Sequence, residues 1–158
     1  MKESISILKR IISPSYWGLY NYRIANFLYM SEFLRPLYYF YFPIWRLISL
    51  ITGIEIYGKT FIGKNLRVVH FGGIFINPQS KIGDNCTTYN NVIIGSREYT
   101  GGESPIIGNN VRIGSGAKIL GGIIIGDNVD IGANAVVIKD VPSNVIVGGV
   151  PARILKEK

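Results

Sequence analysis

The sequence is poor in the residue types that most often build disulfide frameworks and metal centres. Its 158 residues include one cysteine, Cys86, and one histidine, His70. A single cysteine excludes an internal disulfide and any zinc site built from several cysteines, and we expect no metal ion. The lone histidine leaves one side chain of the type that commonly exchanges a proton near neutral pH, which makes His70 a candidate for acid–base chemistry.

Acidic residues are also scarce, with ten against seventeen lysines and arginines, so the formal net charge is +7. The basic residues are scattered singly rather than clustered, and nucleic acid is therefore not an expected partner. A phosphorylated cofactor or a membrane surface fits the charge equally well. With 47% hydrophobic and 17% charged residues, the chain is expected to form one globular domain with a short appendage.

Glycine is unevenly distributed, which divides the chain near residue 54. Only two of the nineteen glycines precede residue 55, whereas both tryptophans do. Residues 1–54 are predicted to form a short helical N-terminal region, with helices over 4–12, 16–30 and 37–54, and residues 55–158 a second domain. Pro43 and Arg46 argue against a membrane-spanning helix over 37–54. Two interpretations stay open for this basic, aromatic region: helices in a membrane interface, or helices that pack on the chain and on other subunits.

A six-residue repeat dominates the sequence after residue 55. Its period is neither helical nor that of a plain strand, so it predicts short strands and tight turns that stack into a parallel β-helix. A small or apolar residue commonly follows four places after the repeated aliphatic one, and Cys86, at such a position, is expected in the core. The repeated aliphatic positions are Ile56, Ile62, Val68, Ile76, Ile82, Ile94, Ile107, Ile113, Ile119, Ile125, Ile131 and Val137.

These units, and the C-terminal runs 132–142 and 148–154, resemble the hexapeptide-repeat acyltransferases. The resemblance implies a mainly β fold, a left-handed parallel β-helix of hexapeptide repeats that works as a homotrimer and takes acetyl-CoA as acyl donor. Within the family it is strongest to the serine acetyltransferases and to the shorter acetyltransferases of capsule and exopolysaccharide synthesis. A cytoplasmic protein is expected, with peripheral contact at the inner face of the membrane as an option.

Acyl transfer to a hydroxyl requires a base, because a hydroxyl is a weak nucleophile until its proton is removed. His70 stands where the family's catalytic histidine stands, before the glycine-rich break 71–73. Glu55, fifteen residues earlier, matches the family's aspartate that orients this histidine. A turn histidine without a role and a glutamate that only faces solvent are the alternatives for these two positions.

The resemblance also implies a donor site. Ser115 and Ala133 match positions whose backbone runs alongside the pantetheine of acetyl-CoA, and Lys139 and Arg153 match basic residues that meet its phosphates. Gly95 starts a thirteen-residue step that matches a loop reaching the neighbouring subunit's active site. Small residues in such a repeat can also be merely structural.

Departures from the serine acetyltransferase pattern decide the predicted acceptor. Val69 replaces an aspartate before the histidine, and Glu103 replaces a loop arginine that faces the serine carboxylate, which inverts the local charge. We therefore expect O-acetylation of a sugar hydroxyl on a surface polysaccharide or its precursor. Serine O-acetylation for cysteine synthesis and a catalytically silent assembly module are the alternatives.

Overall fold

The computed structural model describes residues 13–98 and 101–158. Two α-helices precede a stack of fifteen short β-strands, and the predicted helix over residues 4–12 lies outside the described residues. Helix α1 spans Pro14–Met30 and α2 spans Arg35–Thr52. The two helices therefore begin two residues before their predicted starts, each with a proline in the first turn, where its fixed φ suits a helix.

Helix α2 ends at Gly53, which adopts a left-handed conformation (φ 63°) and donates its N–H to the Ser49 carbonyl at 2.8 Å. The two helices are joined by Asn21, whose side chain donates to the Trp45 carbonyl at 3.1 Å and accepts from the Tyr41 hydroxyl at 2.8 Å. Tyr22 anchors α1 to the first coil by donating to the Thr60 carbonyl at 3.0 Å. The helical region is thus fixed over the N-terminal end of the β-helix.

The strands form three parallel sheets, and the chain visits each sheet once per coil. The first sheet contains β1, β4, β7, β10 and β13, the second β2, β5, β8 and β11, and the third β3, β6, β9, β12, β14 and β15. Every pairing is parallel except β14 with β15. The strands are Ile54–Ile56, Phe61–Ile62, Arg67–Val68, Ile74–Ile76, Lys81–Ile82, Thr87–Thr88, Ile93–Gly95, Ile106–Ile107, Arg112–Ile113, Lys118–Leu120, Ile124–Ile125, Asp130–Ile131, Val136–Val137, Val145–Gly149 and Ala152–Glu157.

The predicted parallel β-helix is confirmed, and the repeated aliphatic side chains form its interior. Ile76, Ile94 and Ile119 are completely buried, and Cys86 lies in the same core as predicted. The side chains pointing the other way along each strand are more exposed, because successive residues of a strand face opposite sides. The division into residues 1–54 and 55–158 stays a prediction; strand β1 begins at Ile54.

Asparagines make the turns between the second and third sheets. Asn65, Asn85, Asn110, Asn128 and Asn144 all have φ between 55° and 61°, a region that β-branched residues avoid. Their side chains also bond from coil to coil, for example Asn65 to Asn85 and Asn128 to Asn144, both at 3.0 Å. Asn91 and Asn134 adopt the same conformation in the turns between the third and first sheets.

Candidate active site

One corner of the coil carries three of the predicted site residues. We call the turns between the third and first sheets (residues 69–73, 89–91, 114–116 and 132–134) the histidine corner. The strand register pairs Val68 with Thr88, Thr88 with Ile113, and Ile113 with Ile131. Beyond the strand ends, the N–H groups of Asn91, Gly116 and Asn134 donate to the carbonyls of the turn below, which aligns Gly72, Asn90, Ser115 and Ala133 in successive coils. His70 lies two residues before Gly72, in the same turn.

Hydrogen bonds between these turns hold the column together. The Ser115 hydroxyl donates to the Asn90 side-chain oxygen at 2.6 Å, and the Asn134 N–H donates to the Ser115 carbonyl at 2.8 Å. At about 4.8 Å between neighbouring strands, His70 and Ala133 lie about 14 Å apart along the stack. An extended arm such as pantetheine can therefore run along this corner with its thioester near the imidazole.

His70 lies at the widest turn of the corner. Val68 and Ile76 are eight positions apart in this coil, whereas the aligned Thr88 and Ile94 are six apart in the next, and Gly72 and Gly73 both have positive φ, 95° and 67°. A Cβ on Gly73 would lie 3.1 Å from the Asn91 Cα, so the coil above closes on this turn. The wide turn leaves the His70 side chain exposed at the surface.

Tyr89 is the aromatic neighbour of His70 in the described structure. The two ring centroids are 5.9 Å apart with an interplanar angle of 54°. Tyr89 also lines a groove of about 210 Å³ with Gly114 and Gly132, the residues that precede Ser115 and Ala133. One side chain thus connects the candidate base with the candidate donor groove. The sequence analysis did not identify Tyr89; its spacing of one coil from His70 is a signal that could have found it.

Glu55 is held by partners other than His70. Its two carboxylate oxygens contact the Arg46 guanidinium at 3.2 Å and the Tyr57 hydroxyl at 2.6 Å. The bond from Tyr57 to Glu55, together with burial and the Glu55 charge, raises the pKa of Tyr57 to about 12. In the described part of the chain no hydrogen bond joins Glu55 to His70, so their pairing stays a prediction.

The remaining predicted donor residues are divided between two corners. Arg153 lies beside Gly148 on β15, above the histidine corner. Gly95 instead ends β7 and pairs with Leu120, at the corner between the first and second sheets. Lys139 follows β13 at that same corner, two coils above Gly95. The first sheet separates these two residues from His70 within one protomer.

The corner that contains Gly95 also contains a cavity. We call it the loop corner, formed by residues 95–98, 101–105 and 121–123. A cavity of about 650 Å³ there is lined by Arg97, Glu98 and Glu103 together with Gly121 and Gly122. Positive and negative side chains therefore face the same space. The sequence analysis treated Glu103 as a reversal of charge and did not weigh Arg97, which the fold brings into the same cavity.

Comparison with known proteins identifies the family. Residues 104–139 match the family model described as bacterial transferase hexapeptide (six repeats). The serine acetyltransferase of Helicobacter pylori strain J99 is 37% identical over 146 residues, covering 92% of this chain and 83% of that protein. The chain belongs to the serine acetyltransferase family. The crystal structure of the Brucella abortus enzyme in complex with coenzyme A has a TM-score of 0.85 at 31% identity. The Neisseria gonorrhoeae enzyme in complex with serine has a TM-score of 0.83, also at 31% identity.

The relatives confirm one part of the sequence analysis and correct another. They confirm the hexapeptide-repeat, left-handed β-helix fold and an acyltransferase that uses acetyl-CoA. The two solved chains are matched over 96% and 94% of this chain, which spans 60% of each of them. The predicted sugar hydroxyl acceptor is wrong, because these relatives are serine acetyltransferases, and they do not support the predicted closeness to polysaccharide acetyltransferases. That prediction rested on Val69 and on the charge of Glu103; in the structure Arg97 lines the same cavity as Glu103, so the charge there is mixed.

Proposed function

We propose that this chain is a serine O-acetyltransferase, which transfers the acetyl group of acetyl-CoA to the hydroxyl of L-serine. The observation that carries the proposal is that His70 lies on the same corner as Ser115 and Ala133, beside Tyr89, in a member of the serine acetyltransferase family. This corner offers a proton acceptor at one end and a groove with closely approachable backbone beyond it.

The transfer is direct in the proposed mechanism. His70 takes the proton of the serine hydroxyl while the serine oxygen bonds to the acetyl carbonyl carbon. The carbon–sulfur bond then breaks, and protonated His70 returns its proton to the CoA thiolate. Tyr89 packs against the imidazole. Glu55 is proposed to orient the base by accepting a hydrogen bond from its other ring nitrogen, for which it would have to leave its present partners, Arg46 and Tyr57.

The acceptor's charges fit the loop corner. Serine is a zwitterion, so its site needs a cation for the carboxylate and an anion for the ammonium group. Arg97 offers the fork of donors that suits a carboxylate, and Glu98 and Glu103 line the same cavity. Arg97→Gln should therefore raise the KM for serine with a smaller effect on kcat, because a binding contact is lost.

A homotrimer would complete the site. The histidine corner and the loop corner lie on opposite edges of the first sheet, so a neighbouring protomer would bring one to the other. Mixing inactive His70→Ala protein with inactive loop-corner variants and allowing subunits to exchange should restore about a quarter of the wild-type rate. No recovery after confirmed exchange would place both halves of the site in one protomer.

The proposed acceptor is tested by CoA-thiol release from acetyl-CoA with L-serine. O-methyl-L-serine, which lacks the hydroxyl, is the matched acceptor control, and His70→Ala is the matched enzyme control. We expect release with serine alone, reduced in the variant by about 10²–10⁴-fold. Equal rates with both acceptors, or an unchanged rate in His70→Ala, would contradict the proposal.

A further inference from the structure

The outward surface of the two helices is covered with large apolar side chains. We call it the helical face. Phe33 is 90% exposed, Phe40 80% and Leu50 66%. A contiguous apolar surface of this extent is rare on a protein that has no partner for it. The face consists of Trp17, Tyr20, Ile24, Phe27, Met30, Phe33, Leu37, Tyr39, Phe40, Phe42, Ile44, Leu47, Leu50 and Ile51.

The described part of the chain does not cover this face. The opposite side of the helices makes the internal contacts: Tyr22 and Trp45 are 1% exposed, and Tyr38 is buried with them. Trp45 donates its indole N–H to the Ile56 carbonyl at 3.1 Å. The helices therefore attach to the β-helix through one side, and contacts among residues 13–98 and 101–158 do not account for the apolar residues of the other side.

The width of the helical face suits the interface of a lipid bilayer better than packing against another helix. At 100° per residue, the apolar residues from Tyr39 round to Leu37 cover an arc of about 160° on α2. A helix–helix seam is narrower and is flanked by charged residues. A helix lying in a bilayer interface has this broad apolar face, and tyrosine, tryptophan and phenylalanine are the side chains that such an interface favours.

The charges near the face are complementary to an anionic surface. Residues 13–54 contain three arginines and one glutamate, a net charge of +2, and Lys9 and Arg10 precede α1 in the sequence. Helix α2 contains no acidic residue, and Arg35 at its start is exposed. Arg46, at the margin of the apolar arc, pairs with Glu55, and Arg23 of α1 donates to the carbonyls of Ile62 and Gly63. Within the described residues no helix is long and apolar enough to cross a membrane.

We propose that the helical face docks on an anionic lipid surface, with α1 and α2 lying in the interface and the β-helix in water. The apolar arc supplies burial among the acyl chains, and exposed Arg35, with the net positive charge of residues 1–54, supplies attraction to the headgroups. This inference goes beyond the proposed function and does not depend on serine being the acceptor, because it concerns a surface outside the catalytic corners.

The test is cosedimentation of the full chain with phosphatidylcholine vesicles that contain or lack phosphatidylglycerol. We expect binding to the anionic vesicles, weakened by salt and by omission of the anionic lipid. Replacing Phe40 and Leu47 together by glutamine, a good helix former, should reduce the bound fraction at least tenfold. Leu155→Gln, at a residue 68% exposed on β15, is the matched control and should leave binding unchanged.

Fluorescence gives a second reading of the same contact. Trp17 is 48% exposed on the face, whereas Trp45 is buried, so a blue shift on adding vesicles reports on Trp17. Wild-type protein that stays in the supernatant without a blue shift would overturn the proposal. A second result would also overturn it: the Phe40→Gln, Leu47→Gln protein loses self-association but binds vesicles as well as wild type. A second copy of the chain would then be the partner that covers the face. Unchanged thermal unfolding of the variant confirms that it folds.

Discussion

Replacing Tyr22 by phenylalanine should change how the stability of the fold depends on pH. The Tyr22 side chain is 1% exposed, and burial raises its pKa to about 12, against about 10 in the unfolded chain. The folded state therefore keeps this proton more tightly, and its contribution to stability is complete below pH 10 and is lost as the pH rises toward 12. Two pKa units correspond to about 2–3 kcal/mol.

The variant loses the hydrogen bond to the Thr60 carbonyl, but Asn26 also donates to that oxygen at 3.3 Å. At pH 8 we therefore expect Tyr22→Phe to be less stable by about 1 kcal/mol. Between pH 10 and 12 the difference should shrink and then reverse, because the variant has no buried phenol to ionise. Urea unfolding at steps of half a pH unit measures this, with Tyr20→Phe on the exposed side of α1 as control. A gap between wild type and Tyr22→Phe that stays constant from pH 8 to 12 would refute the reasoning.

Three further expectations concern the site and the core. Tyr89→Ala should lower kcat at least tenfold because the His70 ring loses its aromatic neighbour, whereas Tyr89→Phe should stay near wild type; equal losses in both would assign the role to the hydroxyl. Burial raises the pKa of the Cys86 thiol, so a thiol reagent at pH 8 should react with it only in denaturant, and rapid reaction of the native protein would contradict its place in the core. Ile119→Ala, at a completely buried position, should lower the free energy of unfolding by about 2–5 kcal/mol in urea titrations. A loss under about 1 kcal/mol would show that the interior of the β-helix tolerates a cavity at this position.

The coil could be predicted from the sequence because its interior imposes a local rule. Each coil must return an aliphatic side chain to the same column, so Ile107, Ile113 and Ile119 recur at a fixed interval along the chain. Val68 and Ile76 are eight positions apart instead of six, and the wide turn beside His70 lies in this longer interval. These features depend on neighbouring residues, and the structure places them where the repeat predicts.

Contacts between distant segments could not be predicted in this way. The partners of Glu55 include Arg46, which reaches it only because α2 folds back over the first coil. The contact between Tyr57 and Glu55 could have been predicted, because residues two positions apart on a strand face the same side. Arg97 and Glu103, six positions apart in the sequence, line one cavity, and this arrangement could not be read from the charge of Glu103 alone.

The most direct test of the proposed function is the identity of the product. Purified protein would be incubated with L-serine and acetyl-CoA carrying an isotope-labelled acetyl group, and the products analysed by mass spectrometry. The account predicts labelled O-acetyl-L-serine in amounts equal to the free CoA released, and none with His70→Ala. Release of CoA without labelled O-acetylserine, or labelled product of equal yield in His70→Ala, would contradict it.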